Sequence, residues 1–142
     1  MNVERVTEAT DEIVDAFARL VPQLSPDRTG PTRGHLAEVL SAPGTIVLIA
    51  RDEETIAGTL TLLLYRIPTG VRGWIHDVVV DEDARGRGVG EVLMREALEI
   101  AREAGAENVH LTTRRSREAA HRLYARIGFV QRESDVFVWR PE

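Results

Sequence analysis

The chain of 142 residues carries 18 positive and 23 negative side chains, no cysteine and, by direct count, no lysine, so every cation is an arginine. Lysine chemistry (a GK[ST] phosphate loop, Schiff bases, a kinase strand lysine) is thereby excluded, as are thiolate catalysis, thiolate metal sites and disulfides, and the missing cysteine points to a reducing compartment. A formal charge of −5 argues against general nucleic-acid binding; neither a membrane span of roughly 20 apolar residues nor a basic-then-apolar signal sequence is visible, so the chain reads as cytoplasmic, with no membrane partner.

A chain of this length buries roughly two-thirds of its unfolded surface in about one domain. No repeat or Pro/Gly/Ser linker divides it, and a single domain over 1–142 is expected. Residues 3–6 predict a short opening strand. Thr10 or Asp11 then caps a helix whose apolar positions Ile13, Phe17, Leu20 and Leu24, with Val14 and Val21, follow the 3.6 period, and Pro22 and Pro26 bracket its end. After a loop over 25–31, a short helix around 32–40 stops at Pro43-Gly44. Residues 45–50 and 56–65 are strand-like around a charged turn and together predict a hairpin. Residues 74–80 end in three valines, which suits a central strand covered on both faces. The period then changes: Val89, Val92, Leu93, Ala97, Ile100, Ala101 and Ala104 mark a helix ended by Gly105. A strand over 109–113, a second amphipathic helix through Ala120, Leu123, Tyr124 and Ile127 stopped by Gly128, and strands over 129–132 and 136–139 complete the order βααβββαβαββ. This predicts an α+β fold of mixed α/β layers.

The run Val78-Val79-Val80-Asp81-Glu82-Asp83-Ala84-Arg85-Gly86-Arg87-Gly88-Val89-Gly90 has the makings of an anion cradle. Its glycines let the backbone turn tightly with converging N–H groups, and the following helix adds its unpaired N–H groups and positive dipole end. A dinucleotide G-x-G-x-x-G fails, because Glu91 or Leu93 stands where the last glycine belongs. The alternative is a turn that only reverses the chain. Arg85 and Arg87 open one helix and Arg114, Arg115 and Arg117 the other, where the dipole disfavours cations by a few tenths to about 1 kcal/mol each. A nearby anion would account for them together; a solvated face accounts for any one singly. No aromatic residues interleave with this patch as single-strand nucleic-acid binding requires.

Arg85-Gly86-Arg87-Gly88-Val89-Gly90 resembles the R/Q-x-x-G-x-G/A signature of the GNAT superfamily of acyl-CoA N-acyltransferases. Ala120-His121-Arg122-Leu123-Tyr124-Ala125-Arg126-Ile127-Gly128-Phe129 is similar to that family's A-x-x-L-Y-x-x-x-G-F motif. The resemblance spans nearly the whole chain. It implies a central, mostly antiparallel twisted sheet of about six to seven strands, flanked by about four helices and splayed at the cofactor-binding strand. It also implies transfer of an acetyl group from acetyl-CoA to a primary amine by direct attack in a ternary complex, with no metal and no enzyme nucleophile. By the matching positions, backbone N–H groups of Arg85, Gly86, Arg87, Gly88, Val89 and Gly90 would hold the pyrophosphate. Val78, Val79 and Val80 would pair with the pantetheine arm and polarise the thioester carbonyl. A bulge would open the strand there.

Tyr124 matches the tyrosine that protonates the leaving thiolate, and Ala120 belongs to the same cofactor-facing helix. Tyr124 also lies on the apolar stripe with Ala120 and Leu123, where core packing alone would explain it. Arg117 stands where the family often has asparagine; an arginine there could meet a phosphate or the pantetheine carbonyls. The amine needs a base, and the position matching the family's glutamate is His76, with Asp77 beside it. Alternation puts Trp74, His76, Val78 and Val80 on one face. A packed, hydrogen-bonded histidine is the other reading of His76. His35, His110 and His121 show no metal-ligand spacing. The acceptor is expected to be a small-molecule or peptide amine, and the acidic N-terminal half, which contributes to the acceptor site in this family, favours a cationic one. A non-catalytic acyl-CoA-binding or regulatory module on the same scaffold is the first alternative, and an arginine-patch nucleic-acid binder the second. Phe137 and Trp139 could give the closing strand a homodimer edge.

Overall fold

The computed structural model describes residues 1–141. They gather into two compact units, Met1–Thr112 and a second that begins at Thr113. The first holds β1 (Asn2–Arg5), α1 (Asp11–Leu24), α2 (Arg33–Ser41), β2 (Thr45–Asp52), β3 (Thr55–Ile67), β4 (Gly70–Val80), a 3-10 turn (Glu82–Ala84), α3 (Val89–Glu103) and β5 (Val109–Leu111). The second holds α4 (Glu118–Ile127).

The strands of the first unit form one sheet in the order β1-β2-β3-β4-β5. Neighbours are antiparallel up to β4, and β5 runs parallel to β4. Short turns join β2 to β3 and β3 to β4, whereas a parallel pair needs a crossover, which α3 supplies.

β2 shows why its apolar run is continuous. Ile46, Val47, Leu48, Ile49 and Ala50 are all buried, so the strand is covered on both faces. Val47 and Ile49 point to one face, where they pack with Ile13, Phe17 and Leu20 of α1 and Leu36 of α2. On the other face α3 lies close to β3: a Cβ on Gly58 would come within 2.9 Å of Val89 Cγ1 and 2.8 Å of the Val79 carbonyl oxygen. Glycine at that position is what lets the helix approach. The buried Thr59 hydroxyl is satisfied by donating to the Leu48 carbonyl at 2.8 Å.

Local signals explain the helix starts. Thr10 and Thr32 take the N-cap positions of α1 and α2, and their side chains accept from the N–H groups of Ile13 and His35. Pro22 lies inside α1 rather than beyond it, at the cost of the one helical hydrogen bond its N–H would have given to the Ala18 carbonyl, and the helix closes with Ser25 N–H donating to the Val21 carbonyl at 3.1 Å.

The sheet has five strands, fewer than the six to seven expected. Residues 129–132 and 136–139 form no strand among the described residues. Apart from the half-buried Phe129, their apolar side chains stand in solvent, Phe137 at 92% and Trp139 at 84% exposure. A strand holds only where a ladder partner and a buried face fix its register, and neither condition is met there. The remaining elements and the mixed α+β class agree with the pattern read from the sequence. No helix among the described residues is long and apolar enough to cross a membrane.

Candidate active site

The last third of β4 departs from regular pairing on both edges. Towards β5, the parallel ladder covers only Gly73, Trp74 and Ile75, so no strand of the sheet pairs with β4 on that side from His76 to Val80. This is the splay expected at the cofactor-binding strand. Towards β3, Thr61 pairs with His76 but Thr59 pairs with Val79, so β4 carries one residue more than β3 across that step. The extra residue makes a bulge, and Asp77 takes the left-handed conformation with φ of 52°. An L side chain pays about 1–2 kcal/mol for that conformation, least for Asp and Asn.

The bulge corrects the face assignment made by simple alternation. Cross-strand partners share a face, so His76 with Thr61 and Val79 with Thr59 lie on the side of α1 and α2, while Val80 with Gly58 lies on the side of α3. His76 therefore does not share a face with Val80. The Trp74 ring stacks with two imidazoles, His76 at 6.2 Å and His110 at 5.3 Å between ring centroids.

After β4, the chain is clamped by α1. Arg19 Nε donates to Asp81 Oδ2 at 3.0 Å and Arg19 Nη2 to the Ile56 carbonyl at 2.6 Å. Gln23 Oε1 accepts from Glu82 N–H at 2.9 Å, and Asp81 caps the 3-10 turn by accepting from Asp83 N–H. Burial pushes the Asp81 carboxyl upward, but the Asp83 N–H and the Arg19 guanidinium hold it below the usual carboxylate range. The glycine-rich loop that follows therefore starts from a fixed point.

Within the loop, Gly86 and Gly88 both have φ of 82°, and a Cβ on either would meet nothing within 4 Å. The glycines serve backbone conformation, not packing, and the space over them is open. Gly88 is the N-cap of α3 and brings no side-chain acceptor to the first turn. The loop thus meets the test for an anion guest: left-handed backbone, open space and a helix start without its own cap. Arg85 and Arg87 are exposed; Arg87 Nη1 is held by Asp52 Oδ2 of β2 at 2.9 Å.

An open cleft of about 540 Å³ lies beside the bulge, lined among others by His35 and Glu38 of α2, Thr61 and Leu63 of β3, and His76 and Asp77 of β4. The structure thus gathers His76, Asp77, Val78, Val79, Val80 and the Arg85–Gly90 loop along one continuous stretch of the first unit.

In the second unit, Arg117, Ala120 and Tyr124 lie on the first two turns of α4. Arg117 is the N-cap residue and makes no side-chain cap. The Tyr124 phenol is raised above its ordinary value by burial, with the Arg117 charge pulling the other way. The helix ends in a Schellman motif: Phe129 N–H donates to the Tyr124 carbonyl at 2.9 Å and Gly128 N–H to the Ala125 carbonyl at 3.2 Å, with Gly128 at φ of 118°. The Tyr124 and Phe129 rings pack at 5.9 Å across that turn. The Gly128-Phe129 end of the motif therefore has a structural origin of its own.

The sequence profile of the Acetyltransferase (GNAT) family matches residues 9–129. The chain belongs to the GNAT acetyltransferase family. Among its relatives is a probable glucosamine 6-phosphate N-acetyltransferase 2 of Oryza sativa subsp. japonica, 37% identical over 139 residues, covering 90% of this chain and 81% of the relative. The glucosamine 6-phosphate N-acetyltransferase of Trypanosoma brucei brucei is 28% identical over 83% of this chain and 91% of its own length. A putative acetyltransferase of Agrobacterium tumefaciens str. C58 superposes with a TM-score of 0.86 at 26% identity, covering 99% of this chain and all of that one.

This GNAT protein is thus an acyltransferase, and some residues around its site were not singled out in the sequence. Arg19, Gln23 and Asp52 come from α1 and β2 to fix the two sides of the glycine loop. Their only sequence signal was polarity, on the amphipathic α1 and at the end of the apolar β2, which does not say where they reach. Glu38 enters the cleft in the same unannounced way.

Proposed function

We propose that this GNAT enzyme moves an acetyl group from acetyl-CoA to a primary amine by direct attack within a ternary complex. The observation that carries this reading is the run of β4 from an unpaired, bulged edge straight into an open glycine loop and an uncapped helix. Such an edge offers backbone N–H and C=O groups from Val78 to Val80 to an extended pantetheine arm. The backbone N–H groups of Arg85 to Gly90 suit a pyrophosphate.

Acetyl-CoA, when bound, supplies an activated thioester carbon. His76 accepts the proton that the amine nitrogen loses as its bond to that carbon forms, and Tyr124 gives its phenolic proton to the sulfur as the C–S bond breaks. The products are an N-acetylated amine and coenzyme A, and the proton taken at His76 passes to solvent as Tyr124 regains its own. A backbone N–H of Val78 or Val80 polarises the thioester carbonyl. Burial of Tyr124 keeps its proton in place at neutral pH, as an acid requires. Arg117 and Ala120 complete the cofactor contacts in this reading. The relatives named for glucosamine 6-phosphate make a small-molecule acceptor the simplest expectation.

Thermal-shift titration with acetyl-CoA, coenzyme A and an adenine dinucleotide tests the cofactor. A ligand present at 100 times its Kd stabilises by about 2.7 kcal/mol, and both CoA species should do so while the dinucleotide does not. Absence of stabilisation by either CoA species overturns the reading. Thiol release in the presence of candidate amines then reads the transfer itself.

A further inference from the structure

The cleft beside the bulge has a chemistry that its relatives' names do not suggest. Its lining includes two carboxylates, Glu38 from α2 and Asp77 from β4, together with apolar side chains such as Val39 and Leu63. Neither carboxylate has an ion pair or side-chain hydrogen bond among the described residues, in contrast to Asp52 and Asp81 on the cofactor side. The chain has arginine as its sole permanent side-chain cation, and no arginine lines this cleft.

We infer that the acceptor is a dicationic amine with an apolar body, an alkyl diamine or polyamine, and that phosphorylated amines are poor acceptors. The inference rests on the acetyl-transfer reading above, with the amine that reacts held beside His76. An amine arrives as an ammonium ion, and Asp77, next to His76, draws one ammonium to the end of the cleft where the proton is taken. Glu38, the other carboxylate of the lining, is left to hold a second cation. Methylene groups between the two cations lie against Val39 and Leu63, which removes apolar surface from water. A phosphate would meet two carboxylates and no arginine, a like-charge arrangement that opposes binding.

The test compares 1,5-diaminopentane, pentylamine and glucosamine 6-phosphate as acceptors for the full chain with acetyl-CoA, read as kcat/KM by thiol release. The diamine is expected to exceed pentylamine by about fivefold, the size of one partly exposed ion pair, with the phosphosugar last. Glu38→Gln should bring the diamine-to-pentylamine ratio close to one, and Glu38→Asp, which keeps the charge, should preserve the preference. Without acetyl-CoA, the diamine should raise Tm more than pentylamine does, and the difference should shrink with added salt. A preference for glucosamine 6-phosphate, a ratio near one in the unaltered protein, or a ratio unchanged by Glu38→Gln overturns the inference and leaves the acetyl-transfer reading standing. Failure to acetylate any amine while acetyl-CoA binds overturns both.

Discussion

The helix N-termini are of two kinds. α1 and α2 are closed by the side chains of Thr10 and Thr32, whereas α3 and α4 start at Gly88 and Arg117 with no side-chain cap. Asp11 and Glu12 follow the first closed end, in agreement with the dipole; arginines precede both open ends, against it. A helix whose first N–H groups are occupied by threonine has fewer to offer a phosphate, so a closed end serves stability and an open one is available to a ligand. Arg87 adds a qualification: its charge is already paired with Asp52, so part of the misplaced positive charge is satisfied within the fold.

Four substitutions probe that contrast. The largest effect belongs to Tyr124→Phe, on the helix with the open start. As the proposed acid it should lower kcat by about 100-fold or more while coenzyme A still raises Tm, and normal turnover would remove the acid role. Its pKa is raised by burial, so the acid form is lost only as pH climbs past the raised value; the alkaline fall in kcat of the unaltered protein should lie above the usual phenol value of about 10. Next is Gly88→Ala, where a Cβ has room but the left-handed backbone does not suit it. With the loop relaxed in the free variant and re-formed around the donor, a strain of about 1–2 kcal/mol raises the KM for acetyl-CoA roughly tenfold; an unchanged KM together with lowered stability would show that the loop does not re-form around the donor.

On a closed end, Thr10→Ala should cost about 1 kcal/mol of unfolding free energy in a denaturant titration and leave the acetyl-CoA KM where it was. A shifted KM would blur the distinction between the two kinds of helix start. The smallest effect is expected of Asp52→Ala, which frees Arg87: the KM for acetyl-CoA should fall by about two- to threefold at low salt, consistent with an exposed pair, and the gain should fade as salt is added. A raised KM would mean instead that Asp52 presents Arg87 to the donor.

Much of the site was legible because its signals are local. Gly86 and Gly88 mark a loop that only glycine adopts easily, and Gly128-Phe129 closes a Schellman turn around Tyr124 within a span of six residues. The expected bulge exists too, but its consequence was not readable. Alternation assumes an unbroken pleat, and one extra residue at Asp77 puts His76 on the opposite face from Val80. The closing strands fared worst: the apolar run at 136–139 resembles that of β2, yet β2 is covered on both faces and the other is exposed.

By itself the sequence determined the helix starts and stops, the glycine loop, the order of elements as far as α4 and the family, since these depend on dihedral preferences and hydrogen bonds reaching only a few residues. Tertiary structure decided what meets across the chain. Arg19 reaches Asp81 over 62 positions and Arg87 reaches Asp52 over 35, the β5 ladder stops at Ile75, and Glu38 and Asp77 come to line one cleft. Such meetings depend on sheet register and helix packing, which are set by the burial of whole faces and not by any short stretch of residues.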